Sequence, residues 1–382
     1  LSWDKTQHVA AEAAQLGLAR ELRGHTQDVE HVLVTPDGKY VITGSDDGTA
    51  RVWKLADGSF IELKGHDGPI EEMALSSDGR WLATGGTDGD VRLWEIPSGA
   101  GRVLRGHRLT VRGVAFSPDS TKLVSTSEDA NLFVWDVTSG TGHAVFKHTA
   151  GLRPVVWVDN TSVIVGGYDG KVGRYDVVTS KGAMVQAHDA EIRCLALSPD
   201  RQRMLVGDED GVVALWTGDG KRVRTLGRHT DVARDVLFTP DGKHALSAGG
   251  DDVVRVYPMP DGAAIELKGN ENGIKGLAID SAGKLVASAG LDNTVRVWSI
   301  DGTPLHTFLG TNDAVKSVAF TPDRRLVSGS ENNIARIWRL DPIDPPPPGP
   351  AMRQWLATHT NVEEQKPDES LSSSEPAAPS RP

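Results

Sequence analysis

Between Leu22 and Leu340 the apolar residues come in short, β-branched runs separated by polar turns, and no helical period persists across any longer window. The first unit shows the pattern. VEHVLVT is followed by the turn PDGK, then YVITGS, the turn DDG, and TARVWKL. Runs broken by PDG and DG dipeptides are hairpin chemistry. Similar turns recur as SSDG, SPDS, SPDR, TPDG and TPDR. A further short run precedes each unit, as in SFIELKGH or GRVLRGH, and predicts a fourth strand.

The pattern has a fixed period. His25, His66, His107, His148, His188 and His229 follow one another at steps of 41, 41, 41, 40 and 41, and the same register continues onto Asn270 and Thr311. A second series runs in parallel through Trp53, Trp94, Trp135, Tyr175, Trp216, Tyr257, Trp298 and Trp338. Two registers that agree over eight units define a repeat. Four antiparallel strands per unit make one blade of a β-propeller, which buries its faces against its neighbours.

The GH…PDG…[ST]-x-x-x-D…W pattern resembles the WD40 repeat family across roughly residues 17–340. The uniform repeats and PDG turns are similar to bacterial-type WD40 arrays, some of which are joined to signalling domains such as protein kinases. The resemblance implies an all-β fold: a single eight-bladed propeller of four-stranded antiparallel blades. It also implies that each unit lends its first strand to the preceding blade, so that residues 17–23 close the last blade beside Trp338. Closure removes exposed sheet edges.

Six aligned histidines invite a metal reading, but residues one unit apart lie on different blades and cannot converge on one ion. A hydrogen-bond relay inside each blade is expected instead. Its members are His25, Thr43, Asp47 and Trp53, then His66, Thr84, Asp88 and Trp94, then His107, Ser125, Asp129 and Trp135. Later units depart from it. Unit four has Val165 and Tyr175 beside His148 and Asp169, and unit five has Val206 beside His188, Asp210 and Trp216. Unit six has His229, Ser247, Asp251 and Tyr257. Unit seven has Asn270, Ser288, Asp292 and Trp298, and unit eight has Thr311, Ser328, Asn332 and Trp338.

The position five places after each histidine mark opens the innermost strand near the channel, on the face where the resemblance places ligands. It reads Glu30, Glu71, Arg112, Arg153, Arg193, Arg234, Lys275 and Lys316. Six consecutive basic positions predict a positive crescent opposite a short acidic arc, modulated by Asp28 and Glu191. Neighbouring like charges about 10 Å apart repel by roughly 0.4 kcal/mol in water, and by more at lower dielectric. Pairing with Glu128, Glu209 and Glu331 in the hairpin turns would offset this, as would general tolerance of Arg at this position in such repeats. An acidic or phosphorylated peptide held by guanidinium forks would do the same.

Composition changes the picture in three places. The 382 residues carry 52 acids and 41 bases, a net charge of −11, which disfavours indiscriminate binding to nucleic acid. No aromatic interleaving accompanies the crescent, so nucleic acid is not the expected partner. One cysteine, Cys194, excludes an intrachain disulfide and a thiolate-rich zinc site, and in IRCLALS it reads as a small buried hydrophobe. Trp81 and Trp157 fall outside the register and read as blade packing. His8, His31, His143, His244, His306 and His359 share no spacing and receive no role. No apolar run approaches the roughly 20 residues of a membrane helix.

The ends differ from the middle. Residues 1–16 read as an Ala-rich, helical leader, without the basic-then-apolar layout of a secretion signal. Starting at Leu1, the chain reads as a processed product or a piece of something longer. Residues 341–350, DPIDPPPPGP, read as a stiff Pro-rich linker, and residues 351–360 as a short helix with Met352, Trp355 and Leu356 on one face. Residues 361–382 read as a disordered tail. From residue 341 onward seven acids against three bases supply −4 of the net charge.

These observations point to a non-catalytic, cytoplasmic, monomeric scaffold or recruitment module whose partners are other proteins or acidic peptides, with no cofactor, metal or membrane. The competing class is a propeller enzyme with its site in the channel, where Glu30 and Glu71 on adjacent blades would form an acid/base pair. Against it stands the absence of a G-x-S-x-G nucleophile motif.

Overall fold

A computed structural model describes residues 18–309 and 313–340. Eight separate four-stranded antiparallel sheets account for every strand, and no helix occurs among the described residues. Blade one runs from the channel outward as Val29–Val34, Tyr40–Ser45, Thr49–Lys54 and Phe60–Lys64. Blades two to seven repeat that order, with innermost strands at Ile70–Leu75, Val111–Phe116, Leu152–Trp157, Ile192–Leu197, Ala233–Phe238 and Ile274–Ile279.

The eighth blade closes the ring. Val315–Phe320, Arg325–Ser330 and Ile334–Arg339 take Leu18–Arg23 as their outermost strand, with Leu22 opposite Ala335. Arg336, almost fully buried, donates from Nε to Glu21 Oε1 at 3.1 Å across this seam. The closing strand is therefore held by its ladder, by a buried charge pair and by apolar packing of Leu22. The leader, the Pro-rich linker, the short helix, the tail and the mark at Thr311 all lie outside the described residues.

Each second strand is buried on both faces, as in Val41–Ser45, because a blade packs against two neighbours. The core is accordingly divided into eight apolar clusters, one at each blade interface. Ile42, Val52 and Leu63 of blade one meet Ile70, Met73, Leu82 and Trp94 of blade two, and equivalent clusters follow round the ring. This nearest-neighbour burial is what one blade cannot supply alone.

The DG turns have a steric cause. Gly48, Gly89, Gly170 and Gly211 adopt φ of +76°, +78°, +74° and +82° at equivalent places, where Ala130, Asp252, Asn293 and Asn333 stand in the other blades at φ of +66° to +69°. Left-handed backbone costs glycine least and suits Asn and Asp better than alanine.

Trp157 is buried between blades three and four and donates from Nε1 to the Ala115 carbonyl at 2.9 Å. Trp81 is half-buried, with the Arg102 guanidinium 5.6 Å from its ring centre.

Candidate functional site

The relay is continuous in the first three blades. In blade two, Trp94 Nε1 donates to Thr84 Oγ1 at 3.1 Å, which lies 2.8 Å from His66 Nε2, and His66 Nδ1 meets Asp88 at 3.1 Å. Blades one and three repeat it through Thr43 and Ser125. The network assigns the protons: tryptophan to hydroxyl, hydroxyl to Nε2, and Nδ1–H to carboxylate. Burial holds His66 and His229 below the usual imidazole range, so they remain neutral donors. Burial pushes Asp88 up, but the Asp67 N–H, His66 and the Asp90 N–H outweigh it, and the carboxylate is held below its ordinary range. In these three blades each relay nitrogen and hydroxyl is engaged within the blade.

Blade six completes the relay with a different end group. Tyr257 Oη lies 3.2 Å from Ser247 Oγ, and Arg255 donates to Asp251 at 2.9 Å. Blade four turns its imidazole, and His148 meets Asp169 through Nε2 at 3.0 Å. Blade five departs from the sequence expectation. His188 Nδ1 pairs with Asp208 at 2.6 Å rather than with Asp210, which is exposed. Asp208 ends the second strand on the buried side, two residues ahead of Asp210, so it reaches the imidazole first. Val206 has no hydroxyl, and both His188 Nε2 and Trp216 Nε1 are buried without a partner among the described residues. Full satisfaction of the relay therefore fails in blade five. It fails again in blade seven, where Asn270 accepts from Ser288 Oγ at 3.1 Å but its Nδ2 is unmatched.

The channel mouth is built by a local irregularity in every innermost strand. The ladder slips between Val29 and His31, Ile70 and Glu72, Val111 and Gly113, Leu152 and Val155, Ile192 and Cys194, Ala233 and Asp235, Ile274 and Gly276, and Val315 and Ser317. The unpaired residues include Glu30, Glu71, Arg112, Arg153, Arg193, Arg234, Lys275 and Lys316, the eight ring positions. A bulge re-aims the side chain of its extra residue, here at the mouth of the channel.

The ring cations fall into two groups. Arg112 donates from Nε to Glu128 at 2.8 Å and also bonds Glu71 on the adjacent blade. Arg193 meets Glu191 and Glu209, each at 3.1 Å, and Arg153 reaches Glu191 at 3.3 Å. Lys316 bonds Glu331 at 2.8 Å and Glu30 at 3.2 Å. By contrast, Lys275 comes no nearer than 3.9 Å to Glu30. Arg234 makes no hydrogen bond or ion pair among the described residues, and its Nε is buried without a partner. The cause lies in the hairpin turns. Glu128, Glu209 and Glu331 occupy a position that is Gly250 in blade six and Leu291 in blade seven. Burial pulls Lys275 below the usual lysine range; Glu30 opposes this, and Lys316, Arg234 and Arg153 add to it.

Beneath the ring lies a polar cavity of about 490 Å³. Blades one and two present Glu30, Asp46, Glu71 and Glu72, whereas Arg153, Arg234, Lys275 and Lys316 face them from blades four, six, seven and eight. His31 and Asp235 also line it. Burial pushes Asp235 up to about 7, and it raises Glu72 as well. Asp46 is lifted to about 6 by burial and by the nearby Glu30 and Asp28. Carboxylate oxygens of Asp28, Glu30 and Asp46 lie within 4.8 Å of one another, with Lys316 already on Glu30. Glu30 and Glu71 are thus both engaged with ring cations. The sequence reading left out Glu72, Asp235, Asp46 and His31. The first two and His31 follow the bulged residue directly, and a register extended by one place would have found them.

Cys194 lies in the core cluster between blades five and six, its Sγ 3.4 Å from the Ala233 carbonyl, and burial pushes its thiol well up. Such a thiol is not a nucleophile at neutral pH.

Three comparisons bear on identity. The WD domain, G-beta repeat (WD40) family profile matches residues 17–54, 59–95, 100–136, 180–217, 220–257, 264–299 and 302–339. The stretch it omits contains the turned His148 and the Tyr175 of unit four, yet blade four has the same strand order as the rest. Among curated proteins, the ribosome biogenesis protein BOP1 homologs of Drosophila grimshawi and Drosophila melanogaster are each 49% identical over 39 residues. That stretch is 10% of this chain and 5% of each relative, so the chain spans a small part of their length. Among solved structures, the computationally designed Ika8 protein superposes with a TM-score of 0.75 at 24% identity, covering 85% of this chain and 99% of that one. That likeness concerns the fold alone. With two registers, eight closed blades and seven matched repeats in hand, the chain belongs to the WD40 repeat family.

Proposed function

We propose that this propeller is a protein-interaction scaffold that takes an acidic or phosphorylated segment of a partner protein across its channel-mouth face. A WD40 propeller supports a scaffold role in general. The finer reading is carried by one observation: the bulged ring aligns six basic side chains, and of the three without a turn carboxylate only Arg153 has a close acid, Glu191, whereas Arg234 has none among the described residues and Lys275 none nearer than 3.9 Å. A guanidinium with free donors at a water-accessible rim suits a carboxylate or phosphoryl group, because charge-assisted forked bonds are strong and directional. Arg153 and Arg193, on the two blades before this gap, share one acid, Glu191.

The test compares the wild-type chain with the triple variant Arg153→Glu, Arg193→Glu, Arg234→Glu by affinity purification and mass spectrometry, with circular dichroism to verify folding. Loss of the partners captured by the wild type is expected. Unchanged recovery by a folded variant overturns the reading.

A further inference from the structure

The cavity under the ring has two poles. The charged groups from blades one and two are all acids, beside His31, while the four cations come from blades four, six, seven and eight, with Asp235 among them. In a ring of eight, blade two stands diametrically opposite blade six, so Glu71 and Glu72 face Arg234 and Asp235. Six of these lining residues are ring positions, and Glu72, Asp235, His31 and Asp46 extend the site below them.

Ring cations already engage Glu30 and Glu71, through Lys316 and Arg112, but both sides of the cavity keep groups without a close counter-charge. On the basic side Arg234 is without a partner and Lys275 has only a distant one. On the acidic side Glu72 accepts the Met73 N–H at 3.2 Å, and among the described residues no hydrogen bond from a cation reaches it. Asp235, on the cavity wall below Arg234, accepts the Leu277 N–H at 2.9 Å through Oδ2. Buried polar groups as a rule find partners, and a cleft with convergent unsatisfied groups is the default place for a small ligand.

We propose that the channel cavity binds a small zwitterion, a free α-amino acid or an ammonium carboxylate of similar size, with its carboxylate on Arg234 and Lys275 and its ammonium toward Glu72 and Asp46. A dianion would meet the acids of blades one and two, and a dication would meet Arg234 and Lys275. A zwitterion laid across the channel satisfies both walls. The volume of about 490 Å³ admits such a molecule together with water. The inference shares Arg234 and Lys275 with the peptide reading but needs no protein partner, and the peptide reading holds or falls with partner capture.

The experiment is calorimetric titration of the full chain with L-glutamine, L-alanine, succinate and putrescine as separate probes, up to about 10 mM. Saturable binding of an amino acid is expected, weakened at least about tenfold in both Arg234→Met and Glu72→Gln, changes that keep side-chain bulk and remove one pole each. No saturable binding of either amino acid overturns the proposal. So does succinate binding that depends on Arg234 but not Glu72, which marks a simple anion site. Putrescine binding that depends on Glu72 but not Arg234 overturns it in the opposite sense. Glu72→Gln lies below the rim, so partner capture by that variant separates failure here from failure of the peptide reading.

Discussion

Blade two and blade five have the same strand order and the same interval from histidine to tryptophan, yet only one of them completes its polar interior. Thr84 sits between His66 and Trp94 and serves both. Val206 fills the same volume in blade five and serves neither His188 nor Trp216. The sheet forms regardless, with apolar clusters on both of its faces. Architecture therefore comes from apolar burial and turn geometry, and the relay adds stability and local order on top of it.

Reciprocal exchange breaks or sharpens that contrast. Thr84→Val makes blade two resemble blade five and strands two buried groups at once. A loss of about 2–4 kcal/mol is expected in chemical unfolding, together with faster amide exchange in blade two. An unchanged midpoint would show that the relay contributes nothing. Val206→Thr makes the opposite change in blade five. Its hydroxyl can meet Trp216 Nε1 and His188 Nε2, for an expected gain of about 1–2 kcal/mol and slower exchange in that blade. Both swaps conserve volume, so packing is held nearly constant.

The channel wall supplies the smallest and most pH-dependent effect. Asp235 keeps its proton to about pH 7 in the folded protein, whereas the unfolded chain releases it near 3.8. The folded state thus binds the extra proton, and stability falls as pH rises from about 4 through about 7. Asp235→Asn removes the titration and still accepts the Leu277 N–H. The variant should gain at least about 1 kcal/mol over wild type at pH 8 relative to pH 5. An identical difference at both pH values would place the Asp235 carboxyl outside this linkage.

Relay and channel also differ in what they leave over. Both are built from histidines, acids and hydroxyls at fixed register. In blades one to three the relay consumes its own donors and acceptors, and so it is structural. The channel wall keeps Arg234, Glu72 and Asp235 incompletely matched, and both proposals rest on that remainder.

Much of this was legible before any coordinates. The eight units and the ring positions follow from a period near 41, because a repeat fixes which residues are equivalent, and the closing strand within residues 17–23 followed from what the family resemblance implies. Which equivalents pair was not legible. Asp208 displaced Asp210 because it lies on the buried side of its strand, a matter of which way a side chain faces. The isolation of Arg234 required knowing that the turn residue at Gly250 and Leu291 lies where other blades hold a carboxylate over the ring. Glu72 and Asp235 escaped notice because a regular strand would aim neighbours to opposite faces, whereas a bulge brings both to the channel.

By itself the sequence determined the periodic part of this protein: strand, turn, blade count and the polar residues that recur at the relay and ring positions. Those features are local or recur by translation, so spacing encodes them. Tertiary structure alone decided the charge balance of the channel and its two-poled cavity. Both depend on residues from blades that are distant along the chain and face one another only once the ring is closed.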